Sequence, residues 1–291
     1  MKVKAQAPAK INLSLDVLRR RPDGYHDVSM VMQAVSLYDY VTVEDTDTRD
    51  IEIVCDYEGV PCNEKNIAHK AAREFFKYTK TDNTGVKITI EKNIPTQAGL
   101  AGGSADGAAV IFALNKLFSA HLKDKEMCEI GERVGADVPF CIVGGTKYAV
   151  GTGTELKKCA SMPGCDIVIC KPEVSVSTAE AYARIDSANL SHPEFTAEML
   201  KAVYARDLWM ISACLLNDFD IALNLDEVRD VKRVMLKNKA LGACMTGSGS
   251  AVFSLFNSEK KAQACVEALK KEYKHVFLCE PIKEGCRVIE G

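Results

Sequence analysis

The feature that most constrains the fold is a glycine-rich segment at residues 95–106, Pro-Thr-Gln-Ala-Gly-Leu-Ala-Gly-Gly-Ser-Ala-Asp. The alternating residues 86–90 before it are typical of a strand, and the apolar run 108–118 after it is typical of a helix. Glycines let the backbone approach a ligand closely, and the free N–H groups of a helix N-terminus attract anions. The order strand–loop–helix therefore predicts a phosphate-binding loop, with a tight turn that binds nothing as the minority alternative.

The spacing of this loop, G-x-x-G-G-S-x-D, differs from two common phosphate-binding patterns. It lacks the lysine of G-x-x-x-x-G-K-[ST] and the third glycine of G-x-G-x-x-G. The backbone amides from Gly99 to Ser104 are the expected phosphate donors, together with the helix N-terminus. A Cβ at Gly102 or Gly103 is expected to block the approach of the ligand, and both are candidates for backbone angles that favour glycine.

Length and composition indicate two domains of ordinary globular character. The 291 residues exceed the usual size of one domain, and 47% of them are apolar and 26% charged. Strand and helix patterns alternate in both halves, and the pattern restarts near residue 155. We therefore predict an α+β fold with domains at 1–154 and 155–291, each with helices packed on one face of a sheet.

Charge and hydropathy argue against several classes of partner. A net charge of −3 gives no electrostatic reason to expect binding to nucleic acid. No segment reaches the apolar length that spans a bilayer, and the first residues lack a signal-peptide core, so no membrane partner is expected. Twelve cysteines are scattered without a C-x-x-C pair, which favours a reducing cytoplasm. The sequence carries no signal for an oligomeric state.

Two polar residues stand out in the first strand and one carboxylate in a later apolar stretch. Residues 1–18 alternate between apolar and polar, which predicts a half-buried strand, or two strands bent at Pro8. Lys10 and Asn12 share the polar face, about 7 Å apart. Taken alone, Lys10 is more simply interpreted as an exposed strand lysine. Asp137, in an apolar stretch, is either a turn or cap residue or a catalytic base.

Three separated segments resemble the GHMP small-molecule kinases. They are residues 8–13 (Pro-Ala-Lys-Ile-Asn-Leu), residues 95–106, and residues 245–250 (Met-Thr-Gly-Ser-Gly-Ser). Each segment alone is a weak signal, but the ordered set extends over nearly the whole chain and is specific. The resemblance implies an N-terminal domain like the second domain of ribosomal protein S5, a ferredoxin-like C-terminal domain, and a cleft between them.

Further segments at 21–27, 135–140 and 174–182 resemble those family members that phosphorylate a cytidine diphosphate derivative. The resemblance implies transfer of phosphate from ATP to the 2-hydroxyl of such a small-molecule substrate, with Mg²⁺ arriving with ATP. The chain departs from the family at Ala101, often glycine, and at Ala105, often serine, but both keep their backbone N–H. Alternatives are a kinase for homoserine, mevalonate or a sugar, and a nucleotide-binding protein without turnover.

The resemblance also implies a role for each candidate residue. Lys10 and Asp137 are implied as the catalytic pair, with Asp137 as the base; whether Lys10 alone tunes the hydroxyl while Asp137 orients it stays open. The implied nucleotide site comprises Asn66, Lys92, Pro95, Thr96, Gln97, Ala98, Gly99, Leu100, Ala101, Gly102, Gly103, Ser104 and Ala105. The implied acceptor site comprises Asn12, Tyr25, His26, Thr178 and Tyr182.

Several of these residues have an ordinary structural interpretation as well. Asn66 stands where a helix begins and is a common helix cap. Lys92 either lies along the nucleotide or is solvated. Tyr25 is alternatively an exposed hairpin residue, and Tyr182 a core aromatic on a helix. Residues 246–250 either close over the substrates or form a glycine turn into the next strand.

Overall fold

The computed structural model describes residues 1–81, 85–188 and 194–291. The first part of the chain forms β1 (Lys2–Arg20), β2 (His26–Asp45), β3 (Ile51–Val54), α1 (Ile67–Thr79), β4 (Val86–Glu91), α2 (Gly102–Leu117), α3 (Asp124–Val134), α4 (Val138–Val143), β5 (Thr146–Gly151) and β6 (Glu155–Lys158). The second part forms β7 (Asp166–Lys171), α5 (Thr178–Ala188), α6 (Thr196–Ala205), α7 (Leu208–Ala213), β8 (Leu216–Asn217), α8 (Asp218–Leu223), α9 (Asp226–Lys237), β9 (Gly242–Met245), β10 (Val252–Phe256), α10 (Glu259–Leu269), β11 (His275–Cys279) and β12 (Arg287–Glu290).

The larger sheet is built on the long antiparallel hairpin of β1 and β2. Its order is β12-β1-β2-β4-β3, and β5 pairs with the other half of β2 and carries β6. The smaller sheet has the order β11-β7-β10-β9, and α9 and α10 pack against it. These two helix-covered sheets confirm the α+β class. The last strand, β12, returns to pair with β1, so the chain ends in the sheet where it began.

The predicted strand at the start of the chain is confirmed as β1, and its pairing register shifts between Pro8 and Lys10. The expectation that it is half-buried is wrong, because the polar positions from Lys10 to Asp16 are buried as well. The reason is that β1 is contacted by α2 from the first part of the chain and by α6 and α8 from the second. A polar side chain on this strand is therefore held inside the protein.

Helices α1 and α2 pack closely because small residues face one another. Ala68, Ala71 and Ala108 are fully buried in the core that these helices share. A Cβ added at Gly107 would lie 2.9 Å from a methyl carbon of Ile67. The close packing fixes the N-terminus of α2, where the glycine-rich loop ends, against the beginning of α1. No helix in the described ranges is long and apolar enough to cross a membrane.

Candidate active site

The glycine-rich loop lies between β1 and the turn that joins β9 to β10. The Lys10 N–H donates to the Leu100 carbonyl at 3.1 Å, and the Ala251 N–H donates to the Ala98 carbonyl at 3.2 Å. The Thr246 hydroxyl donates to the Gly99 carbonyl at 3.3 Å. Because these bonds tie its carbonyls to both neighbours, the loop is shaped before any ligand binds.

The left-handed backbone angles in this loop fall at Gln97, Gly99 and Ala101. Gly99 has a φ of 72°, and an added Cβ would lie 1.9 Å from the Thr246 carbonyl oxygen. Ala101 has a φ of 57°, in the left-handed region that a Cβ disfavours. Gly102 and Gly103 have no positive φ, because the first turn of α2 has already begun there. The expectation that these two glycines adopt special angles is therefore wrong.

Lys92 is buried beneath the loop in a cluster of three ionisable side chains. Its side chain is 2% exposed, and its ammonium donates to Asp39 at 2.5 Å and to Asp106 at 2.7 Å. The second oxygen of Asp39 accepts the backbone N–H groups of Asn93 and Ile94 at 2.5 and 2.8 Å. The cluster thus links the end of β4 to helix α2 on either side of the loop. A solvated Lys92 is excluded, and a nucleotide contact stays a prediction.

Two carboxylates share one ammonium in this cluster, which changes the acidity of Asp106. Complete burial raises the pKa of Asp106 to about 8, with Asp39 adding to the rise and Lys92 opposing it. Sequence analysis did not single out Asp39, although an acidic residue inside an apolar strand pattern is the signal that could have found it. It lies more than fifty positions from Lys92, and only the sheet brings the two together.

We expect Asp106 to make the free energy of unfolding depend on pH. Its folded pKa of about 8 lies above the ordinary aspartate pKa of 3.8, so its contribution to the free energy of unfolding is full below about pH 4 and is lost as the pH rises through 8. In Asp106→Asn this contribution is absent. The fall in Tm between about pH 5 and pH 8 should be smaller in the variant than in the wild type, measured by thermal unfolding. An equal fall in both proteins would show that Asp106 does not titrate in this way.

The structure brings the predicted catalytic pair together. The Lys10 ammonium lies 4.0 Å from Asp137 Oδ2, and the two side chains are 5% and 33% exposed. Asp137 occupies the N-cap position of α4, yet its side chain makes no capping hydrogen bond. An exposed Lys10 and a capping Asp137 are therefore excluded. Asp137 does lie in a turn, closed by the Val138 N–H to the Gly135 carbonyl at 3.1 Å, and its role as a base stays a prediction. In such a pair the solvent-accessible carboxylate can receive a proton, and the buried ammonium can stabilise a developing negative charge.

Asn12 connects this pair to residues 246–250. Its Oδ1 accepts from the Lys10 ammonium at 2.7 Å and from the Gly247 N–H at 3.0 Å. The backbone N–H of Asn12 donates to the Thr246 hydroxyl at 3.0 Å. A Cβ added at Gly247 would lie 2.8 Å from the Gly99 carbonyl oxygen and 3.2 Å from the Lys10 ammonium. The three segments that carry the family resemblance thus meet at one point.

An aromatic cluster lies near the catalytic pair. The His26 imidazole stacks on Tyr182 with ring centres 4.7 Å apart and an interplanar angle of 19°, and Phe219 meets the Tyr182 ring edge-on. Burial, and to a lesser extent the charge of Asp137, raises the pKa of Tyr182. His26 Nε2 lies 2.7 Å from a carboxylate oxygen of Asp186, one helical turn beyond Tyr182 on α5. The sequence reasoning missed Asp186, although its spacing of four from Tyr182 places both on one helix face.

Three further predicted residues have distinct surroundings. Tyr25 is 68% exposed at the β1–β2 turn and is not part of this stack. The Thr178 hydroxyl lies 3.3 Å from that of Ser248. Asn66 caps α1, because its Oδ1 accepts the Ala68 N–H at 2.9 Å. The capping interpretation of Asn66 is realised, and its adenine contact stays a prediction.

Comparisons with known proteins agree with this fold and site. A model of the GHMP kinases N terminal domain matches residues 66–145, and a model of the GHMP kinases C terminal matches residues 199–275. A crystal structure of 4-(cytidine 5'-diphospho)-2C-methyl-D-erythritol kinase has a TM-score of 0.80 and 29% identity, covering 97% of this chain and 99% of that one. A homoserine kinase from Cytophaga hutchinsonii has a TM-score of 0.81 at 21% identity, covering 99% and 97%, which shows the fold alone. The two-domain GHMP kinase fold is confirmed.

Two curated relatives show to which group of the GHMP kinases this chain is similar. The 4-diphosphocytidyl-2-C-methyl-D-erythritol kinase of Alkaliphilus metalliredigens is 41% identical over 96% of each chain. The kinase of the same name from Acetivibrio thermocellus is 41% identical over 96% of this chain and 99% of its own. The chain therefore belongs to the GHMP kinases and, within them, to the family of 4-diphosphocytidyl-2-C-methyl-D-erythritol kinases.

Proposed function

We propose that this protein transfers the γ-phosphoryl group of ATP to the 2-hydroxyl of 4-diphosphocytidyl-2-C-methyl-D-erythritol, in the non-mevalonate route to isoprenoid precursors. The observation that carries the proposal is the 41% identity to kinases of that name over almost the full length of both chains. The 4.0 Å approach of Lys10 to Asp137 beside the glycine-rich loop supplies groups suited to this reaction.

The reaction requires an in-line hydroxyl and neutralisation of charge rather than covalent catalysis by the protein. In our proposal Asp137 takes the proton of the 2-hydroxyl while the oxygen of that hydroxyl bonds to the γ-phosphorus. The bond from the γ-phosphorus to the β–γ bridging oxygen breaks, and ADP leaves. Lys10, held at 2.7 Å by Asn12, stabilises the negative charge that develops on the attacking oxygen.

The nucleotide site is proposed along the loop at residues 95–105. Backbone amides from Gly99 to Ser104 and the N-terminus of α2 supply donors for the phosphates. Mg²⁺ is proposed as the companion of ATP, neutralising phosphate charge. Across residues 1–81, 85–188 and 194–291, no group of three or more His, Cys, Asp or Glu side chains is placed to hold a metal.

The cytosine ring is proposed to bind at the aromatic cluster. His26 and Tyr182 form a stacked pair with ring centres 4.7 Å apart, and in our proposal the flat cytosine ring packs against this pair. Tyr25 offers a second aromatic surface on the turn nearby in sequence, and Thr178 and Asn12 supply polar groups.

The free state of all twelve cysteines supports the further proposal that the enzyme works in a reducing cytoplasm.

We expect Tyr182→Ala and Tyr25→Ala to raise KM for the cytidine substrate while KM for ATP changes little. Stacking contributes about 1–3 kcal/mol per base, so each change should be roughly tenfold or more. Tyr204→Ala is the control, because Tyr204 is 63% exposed on α6, outside the proposed pocket. Steady-state kinetics at saturating ATP measures the effect. An unchanged KM in both pocket variants would exclude cytosine binding at this cluster.

The product identifies the reaction. After incubation with ATP and the cytidine substrate, ³¹P NMR should show a new phosphomonoester coupled to no other phosphorus. Loss of the 2-hydroxyl from the acceptor should abolish this signal. ADP release that does not require an acceptor would instead favour a nucleotide-binding protein with residual hydrolysis.

A further inference from the structure

Asn217 is a buried polar residue outside the three segments that carry the family resemblance. It ends the short strand β8, which pairs in parallel with β1 beside Ser14 and Leu15, and its exposed fraction is 1%. It also occupies the N-cap position of α8. The side chain therefore lies between the catalytic strand β1 and the helix that carries Phe219.

The hydrogen bonds of the Asn217 side-chain amide serve two separate purposes. Its NH₂ group donates to the Met245 carbonyl at 2.9 Å and to the Gly247 carbonyl at 2.8 Å. Its Oδ1 accepts the Phe219 N–H at 3.0 Å, which caps α8. A carboxylate of the same size could accept that cap bond but could not donate to either carbonyl.

The bond to Gly247 leads directly to the catalytic lysine. The carbonyl of Gly247 is held by Asn217, and its N–H is held by Asn12 Oδ1, which also accepts from the Lys10 ammonium. Gly247 has a φ of 55° and closely approaches Lys10 and Gly99, as the position of its added Cβ shows. A displacement of the Gly247 backbone would therefore disturb the lysine, whereas the glycine-rich loop keeps its own bonds from the Lys10 and Ala251 N–H groups.

We propose that Asn217 is a positioning residue for phosphoryl transfer: it fixes the backbone of Gly247, and through Asn12 it fixes the Lys10 ammonium beside Asp137. The inference rests on the proposed function, since it takes Lys10 to act on the acceptor. The alternative is that Asn217 serves only as a helix cap. The two roles use different atoms of the same amide, so they can be separated by substitution.

Asn217→Asp retains the cap of α8 and loses the bonds to the Met245 and Gly247 carbonyls. Since misplacement by about 1 Å can cost about 10²-fold in rate, we expect kcat to fall by about 10- to 100-fold. The Kd for ATP, measured by calorimetry, should stay within about twofold of wild type. Asp207→Ala is the matched control, because it removes two capping bonds, of 2.9 and 3.1 Å, from α7 without touching the loop. It should lower Tm and leave kcat unchanged.

A double-mutant cycle with Lys10→Ala shows whether Asn217 acts through the lysine. In that background Asn217→Asp should lower kcat by less than about twofold, because the group it positions is already gone. The same fall in both backgrounds, or a wild-type kcat in Asn217→Asp, would overturn the inference. Asn217→Ser, which also caps a helix but is too short to reach both carbonyls, replaces the aspartate should that variant fail to fold.

The same experiment separates this inference from the proposed function. A wild-type protein that does not phosphorylate the cytidine substrate contradicts the proposed function, and the cycle is then run with the acceptor that does support ADP release. A wild-type protein that phosphorylates the cytidine substrate, together with an Asn217→Asp variant of equal kcat, contradicts only the role of Asn217.

Discussion

Asp137→Ala is expected to lower kcat by a factor of at least about 10², the scale for removing a general base. The carboxylate is accessible, makes no capping bond to α4, and lies 4.0 Å from the Lys10 ammonium. Lys10→Ala should produce a loss of similar size, because the charge on the attacking oxygen then lacks its counterion. The measurement is kcat from coupled ADP release at saturating ATP and cytidine substrate.

The control for this result is Asp124→Ala. Asp124 is an exposed carboxylate at the start of α3, so its removal should leave kcat unchanged. Calorimetry should show nearly normal ATP binding in all three variants, since none removes a backbone amide of the loop. A folded Asp137→Ala protein with near-normal turnover would contradict the assignment of the base.

Lys92→Met is expected to produce the largest loss of stability. It leaves the buried Asp39 carboxylate without its counterion and Asp106 without its hydrogen-bond donor, and breaking a buried pair in this way costs about 3–5 kcal/mol. Thermal unfolding should show a Tm lower by on the order of 10 °C. Because the phosphate loop is anchored on this cluster, ATP affinity should fall as a consequence of the disturbed loop.

Lys87→Met, on the strand β4 that Lys92 directly follows, provides a matched comparison. Lys87 is 40% exposed and lies 3.6 Å from Glu52, and an exposed pair of this kind contributes about 0–1 kcal/mol. Its Tm should therefore stay close to the wild-type value. A Lys92→Met protein as stable as Lys87→Met, with ATP affinity alone reduced, would show that Lys92 contacts the nucleotide rather than supporting the loop.

Much of the fold follows from local patterns in the sequence. The alternation at residues 86–90 and the apolar run after the glycines are realised as β4 and α2. What local patterns could not give was the burial of β1 on both faces, because that depends on helices α6 and α8, which lie about 200 positions away. Local patterns also could not give the pairing of β12 with β1, because the chain forms the whole second sheet between these two strands.

The candidate site was predictable to a different extent for each residue. The period of a strand places Lys10 and Asn12 on one face, and the structure joins them at 2.7 Å. The proximity of Asp137 to Lys10 was implied by the family resemblance alone, because the chain separates them by more than 120 positions. Asn217 gave no sequence signal beyond that of a helix cap, since its bonds to residues 245 and 247 exist only in the folded chain.

The most direct test of the proposed function is a comparison of acceptors in the coupled ADP-release assay. The panel contains 4-diphosphocytidyl-2-C-methyl-D-erythritol, free methylerythritol phosphate, homoserine and mevalonate, each with ATP and Mg²⁺. We expect kcat/KM to be highest for the cytidine derivative by at least about 10²-fold, because only that acceptor places a base on the aromatic cluster. Equal or higher kcat/KM with methylerythritol phosphate, homoserine or mevalonate would contradict the proposed function.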